Sequence, residues 1–351
     1  MITSEERIMG VRDTSHKAGR GRLPVVLLAL LAFALSALAW GCGDSDDEGA
    51  AKEPASGKVK QGLKLAFFSA AGNNTYVKAG MKGAEEAAAR YGAEIQVFDA
   101  QFDAAKQLNQ VMGAVASGDF DGFVLEPNDP QQLCSAAEAT LDAGIVLAVT
   151  NVPVCDAPYD GAYPGTVIFV GGQSPDVYTE WFKQGFDSAD GGKFAVLNGP
   201  AVHGNTTRAR EVLDALKPEY PGWKEVAFDF TDYQPSIGLA KTENILNKHP
   251  DVDVIFSSGT TQTSGAIAAV EAAGKAGKIR IYDLGGNEQA FEMLKGGKIE
   301  STQIFLPYEE QYRAVQSVVA KLSGRSELDG VPTDASFWDL CQDPKLKGLA
   351  C

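Results

Sequence analysis

Short, nearly all-apolar runs alternate with longer stretches of helical spacing, and the alternation runs through once and then restarts at Lys193. In the first series, residues 63–69, 94–98, 120–125, 145–150 and 166–170 read as strands. Most are apolar on both faces, as strands buried inside a parallel sheet must be. Between them 76–91, 103–117 and 130–143 have helical spacing, with Ala84, Ala87, Ala88 and Tyr91 on one stripe. Gly92, Gly118 and Gly144 follow these stretches, each placed to stop a helix. The second series has strands at 193–198, 224–230, 252–257, 279–284 and 301–305, separated by helices near 206–216, 236–248, 263–273 and 288–295. Repeated βα units give parallel sheets, so the expected fold class is α/β, two doubly wound, Rossmann-like lobes in series with a cleft between them. Ligands bind such sheets beyond the carboxyl ends of the strands, which puts the post-strand loops around the cleft.

The N-terminus fixes the compartment. Arg7, Arg12, Lys17, Arg20 and Arg22 precede an uncharged run, 23–40, rich in Leu and Ala, which is the order of a secretory signal. The run Ala39, Trp40, Gly41, Cys42 resembles a bacterial lipobox, although Ala39 and Trp40 are atypical in it. Cys42 is then the lipidated first residue of the mature chain. The competing reading is a short transmembrane anchor, since about 18 apolar residues are marginally enough to span a bilayer. Both readings tether the chain to a membrane. Residues 43–58 are small and acidic, contain Pro54 and offer almost nothing to bury, so 42–61 is expected to be a flexible linker.

The formal net charge is -15, and residues 1–41 carry five basic and three acidic side chains, so their removal leaves -17. No basic cluster survives downstream, which excludes the electrostatic footprint of a nucleic-acid binder. Beyond Cys42 the cysteines are Cys134, Cys155, Cys341 and Cys351. An even count in an oxidising compartment reads as disulfides. Three pairings are possible; proximity favours Cys134 with Cys155 and Cys341 with Cys351, against the alternative of buried free thiols. No spacing matches a metal site. Roughly 290 residues remain after the linker, a size for two domains.

At this point the chain resembles the type I periplasmic binding proteins, and among them the ribose-type sugar-binding components of ABC importers. The resemblance covers roughly 63–337. It rests on the first strand and loop ending Asn73, Asn74, Thr75, Tyr76, on Lys82, Gly83, Ala84, and on His249, Pro250, Asp251, Val252 before a strand. Gly286, Asn287, Glu288, then Gly297, Lys298, Ile299, then Leu306, Pro307, Tyr308 complete the series. The resemblance implies three hinge strands near 169–172, 304–306 and 331–335. It therefore implies an N-terminal lobe of 62–170 plus 305–331 and a C-terminal lobe of 171–304 plus 332–351.

It also implies a ligand set: Asn74, Tyr76 and Asn151 from one lobe, Arg208 (with Arg210 as alternate) and Tyr233 from the other. Aromatic plates and polar forks suit the CH-rich face and hydroxyl rim of a sugar. The chain departs from the family at five places. Asn151 and Val152 stand where the family has Asp and Arg, Gly259 where it has Asn, Gly285 where it has Asp, and Phe305 where it has Gln. Asp283 and Gln303 lie near the cleft end of their strands and could supply replacement polar contacts. Each buried polar group left unpaired costs on the order of 1 to 3 kcal/mol, so the substitutions point to a ligand larger or less polar than ribose.

The expected function is capture of a sugar-like solute by hinge closure and its delivery, by a monomer, to a membrane permease of an ABC importer. No cofactor is expected. The alternatives are a receptor component serving a chemoreceptor or sensor kinase, or a binder of nucleosides or aromatic compounds. An enzyme is disfavoured, because phosphate-loop, metalloprotease and nucleophile-elbow motifs are all absent. Beyond the signal region the histidines are His203, at the mouth of the cleft, and His249, before a proline. His203 suits ligand contact better than catalysis.

Overall fold

Each expected strand has a counterpart in the computed structural model, which describes residues 58–155, 157–159 and 162–333. The first series is β1 (Lys64–Ser69), α1 (Thr75–Tyr91), β2 (Glu94–Asp99), α2 (Ala104–Ser117), β3 (Gly122–Leu125), α3 (Cys134–Asp142), β4 (Val146–Thr150) and β5 (Ile168–Val170). All pairings are parallel, in the order β2-β1-β3-β4-β5. Gly92, Gly118 and Gly144 take φ of 69°, 66° and 73°, the left-handed conformation that ends a helix at little steric cost. α3 begins four residues later than its spacing suggested, because Asp129 and the residues after it form a turn held by the Asp129 carboxylate on the Gln131 and Gln132 amides.

The second series is α4 (Pro175–Phe186), β6 (Gly192–Asn198), α5 (Gly204–Leu216), β7 (Trp223–Phe230), α6 (Pro235–Lys248), β8 (Val254–Ser257), α7 (Thr260–Ala272), β9 (Arg280–Gly285), α8 (Glu288–Lys295) and β10 (Ser301–Ile304). Its parallel sheet runs β10-β9-β8-β6-β7. Read from the other edge, this is the order of the first sheet again. α9 (Pro307–Leu322) and a small hairpin, β11 (Glu327–Leu328) with β12 (Val331–Pro332), close the described chain.

Each sheet is covered on both faces. One face of the first packs Ala84, Ala87, Ala88 and Tyr91 of α1 and Ala314, Val315 and Val318 of α9; the other packs α2 and α3 around Phe68 and Phe123. The second sheet carries an aromatic core of Trp181, Phe182, Phe186, Phe194 and Phe256 on one face and an aliphatic core of Ile255, Ile267 and Ile281 on the other. The chain leaves the first sheet after β5 to place α4 on the second, and returns after β10 to place α9 on the first. Those crossings are at the first two expected hinge positions. At the third, Val331 and Pro332 pair with β11 and Leu328 enters the first core, while 334–335 lie outside the described residues.

Cys134 and Cys155 form a disulfide that ties the start of α3 to the loop after β4. Cys341, Cys351 and Cys42 lie outside the described residues. Among the described residues no helix is long and apolar enough to cross a membrane.

Candidate functional site

In both sheets the strand order reverses beside the first strand of the series, between β1 and β3 and between β6 and β8. Those are the switch points at which open α/β sheets bind ligands. The loops at the two switch points face one another across a cavity of about 300 Å³. Ala70, after β1, and Glu126, after β3, line it from the first sheet; His203, after β6, and Ser258 and Gly259, after β8, line it from the second.

Aromatic rings form much of the wall. Phe102, after β2, lies 5.7 Å from Tyr233, after β7, and 6.1 Å from His203, so rings of the two sheets meet across the cleft. Tyr76 meets Phe305 edge-on at 6.3 Å beside the second crossing. Phe102 and Tyr233 have φ of 58° and 55°, and Asn151 has 64°. Left-handed backbone is costly for bulky residues, and such strain gathers at ligand clamps.

A chain of hydrogen bonds crosses the same gap. Asn205 of α5 donates from Nδ2 to Asn151 Oδ1 at 2.6 Å, Asn151 Nδ2 donates to the Tyr76 hydroxyl at 2.5 Å, and that hydroxyl donates to Glu310 Oε2 at 2.9 Å. The other carboxylate oxygen of Glu310 accepts the Gly172 amide at 3.1 Å, which ties α9 to the first crossing. Asn74 caps α1 by accepting the Val77 amide at 2.9 Å, so one of its acceptor sites is committed to the helix.

Two buried carboxyl groups and a buried imidazole dominate the electrostatics near neutral pH. Burial pushes Glu126 and Glu310 up to about 7 and holds His203 down at about 4. His203 is therefore a neutral ring at physiological pH, accepting the Asn205 amide on Nδ1 at 3.3 Å. Among the described residues no lysine or arginine lines the cavity. Among the described residues no group of three or more His, Cys, Asp or Glu could hold a metal ion.

Of the residues singled out in the sequence, Asn74, Tyr76, Asn151 and Tyr233 line the cavity, as do His203 and Phe305. Arg208 does not: its guanidinium lies 4.5 Å over the Tyr159 ring and pairs with Glu211 at 3.3 Å. Arg210, the alternate, is held by Asp214 and Glu225 over the Phe228 ring. Asp283 does not line it either. It is fully buried and accepts hydroxyls from Thr260 at 3.0 Å, Thr263 at 2.5 Å and Thr302 at 2.7 Å, so it fixes the wall residue Thr260 from behind. Gln303 is not in the lining.

The two glycines do not enlarge the cavity, which corrects the expectation of a larger ligand. A Cβ at Gly259 would lie 2.9 Å from Tyr233 Cδ1, and one at Gly285 would lie 2.4 Å from Thr260 Oγ1. The volume they release is taken by the Tyr233 ring and the Thr260 hydroxyl. Val152 is spent on the lobes themselves, packed so near Gly204 of α5 that a Cβ there would meet its Cγ1 at 2.4 Å. Glu126, Gln173, Phe102 and Asn205 were missed; the signal for Glu126 was a carboxylate placed directly after an apolar strand, at the end where ligands bind.

Residues 65–326 match the family model of a periplasmic binding protein domain. Among curated proteins, the D-ribose/D-allose-binding protein of Pseudomonas aeruginosa is 27% identical over 244 residues, 65% of this chain and 72% of that protein. The ribose import binding protein of Escherichia coli is 24% identical over 271 residues, covering 75% and 86%. Among solved structures, an ABC transporter solute-binding protein from Agrobacterium vitis with bound D-fucose superposes with a TM-score of 0.69 at 21% identity, over 82% of this chain and all (100%) of that one. One from Bacillus halodurans with bound myo-inositol has a TM-score of 0.67 at 22% identity, covering 79% and 92%.

Proposed function

Because the chain belongs to the periplasmic binding protein family, we propose that it captures a sugar or sugar-like solute outside the cytoplasm and delivers it to an ABC importer. The observation that carries this is the cavity: it lies at the carboxyl ends of two parallel sheets and takes lining residues from both. Asn74, Tyr76 and Asn151 on one side and Tyr233, His203 and Asn205 on the other would grip the solute together only when the lobes are closed. Closure is then favoured by ligand, since both contact sets exist in that state alone.

We place the lobe boundaries at the two crossings, with 62–170 and α9 in the N-terminal lobe and 171–304 in the C-terminal lobe. Cys42 is the proposed lipid attachment point, which would hold the protein at the membrane beside its permease. Nothing in the proposed role calls for catalysis.

A thermal-shift screen of the full chain against sugars, polyols, nucleosides and small aromatic compounds tests the reading, because a ligand of the native state raises the melting temperature. A rise with a sugar or polyol is expected. Rises confined to nucleosides or aromatics would overturn the sugar assignment.

A further inference from the structure

The cavity holds a buried carboxyl group that no lysine or arginine among the described residues answers. Glu126 is 3% exposed and lines the cavity. Its Oε2 accepts the Ser69 hydroxyl at 3.2 Å and the Ala70 amide at a long 3.4 Å. Oε1 accepts no hydrogen bond among the described residues. A second buried carboxylate, Glu310, stands behind Tyr76 and adds to the negative potential. Against these the described residues of the lining offer no lysine or arginine, and the one histidine among them, His203, is uncharged.

Taking an ionised carboxylate out of water without a counter-charge is costly, and a ligand that brings the counter-charge recovers that cost on binding. The surroundings favour a cation over a further hydroxyl group. Tyr76 and Tyr233 line the same cavity as Glu126, and aromatic faces attract an ammonium group most strongly where water is excluded.

Resting on the solute-capture reading above, we propose that the preferred ligand is a polyhydroxylated amine, whose ammonium group pairs with Glu126 between the Tyr76 and Tyr233 rings. The neutral polar groups, Asn151, Asn205 and Ser258, then serve its hydroxyls. The first-lobe carboxylate and the second-lobe ring meet the same ligand atom, so the charge itself draws the lobes together.

Matched pairs decide this. Calorimetric titration of the full chain at pH 7 would compare D-glucose with D-glucosamine and D-galactose with D-galactosamine, with the uncharged N-acetyl derivatives as size controls. At least one amino sugar is expected to bind tenfold or more tightly than its parent sugar, and Glu126→Gln is expected to erase that preference. The variant's melting temperature shows whether it folds; if it does not, the comparison on the unaltered protein stands alone. Neutral sugars that bind as tightly as their amines in every pair would overturn the amine assignment and leave solute capture standing. Silence from every sugar and amino sugar in the set would overturn the amine assignment, while solute capture is decided by the wider thermal-shift screen.

Discussion

Glu126, Glu310 and His203 are buried on either side of one gap, and their titration reaches the stability of the whole chain. Both glutamates have folded pKa values of about 7 against 4.5 for the free group, so between those values the native state binds the more protons and stability falls as pH rises. His203, at about 4 against 6.5, works the other way over nearly the same range. Two groups oppose one, and Asp283, also raised by burial, adds to the glutamates. Each tenfold difference in proton affinity between the folded and unfolded states is worth about 1.4 kcal/mol. Urea unfolding should therefore show the ligand-free protein roughly 3 kcal/mol less stable at pH 7.5 than at pH 5. Glu126→Gln should flatten that slope; an unchanged slope would show that the carboxylate is solvated. Arg208 gives a second residue-scale prediction. Its guanidinium rests on Tyr159 rather than in the cavity, so Arg208→Ala should leave sugar affinity within about threefold of wild type while costing about 0.5–1 kcal/mol of stability. A tenfold loss of affinity by calorimetry would return Arg208 to the ligand set.

At the scale of elements, the first lobe depends on how closely α1 approaches α9. Gly83 sits where a Cβ would lie 2.1 Å from the Tyr308 carbonyl oxygen, whereas a Cβ at Gly113 on α2 meets nothing within 4 Å. Gly83→Ala should lower stability by about 1–3 kcal/mol through overpacking. Gly113→Ala should raise it by about 0.5–1 kcal/mol through helix propensity. Urea midpoints of the two variants moving in the same direction would contradict this packing. The strands and most helices were legible because buried parallel strands are apolar runs and glycine marks helix ends. α4 and α9 were not singled out. Both follow a crossing and begin with proline at the first turn, and α9 buries Glu310, Gln311, Arg313, Gln316 and Ser317 among its apolar residues, which blurs its periodicity.

On the scale of the whole molecule, the bond from Asn205 to Asn151 links the lobes and continues through Tyr76 to Glu310 and Gly172 at the first crossing. Asn151→Ala cuts this path at its middle, leaving the Asn205 Nδ2 donor unpaired and the Tyr76 hydroxyl with Glu310 alone. A buried hydrogen bond contributes on the order of 1 kcal/mol and an unpaired group costs more, so affinity for the best sugar in the screen should fall by about tenfold. The loss should lie mainly in a faster off-rate, measurable by stopped-flow tyrosine fluorescence. An unchanged off-rate would show that closure does not depend on this path.

The first two crossings were expected from the family resemblance alone; by itself the sequence determined the α/β class, the two series of βα units and the loops that carry the cavity wall. These follow from hydrophobic period and from residues that stop helices, which act locally. Tertiary structure alone decided what each loop residue does. Gly259 and Gly285 read as vacated volume, which Tyr233 and Thr260 fill; Asp283 read as a ligand contact, but three threonine hydroxyls surround it; Glu126 gains its meaning only from a cavity whose described lining carries no lysine or arginine. Each of those outcomes depends on residues distant in the chain competing for the same space and the same charge, and neither spacing nor composition carries that information.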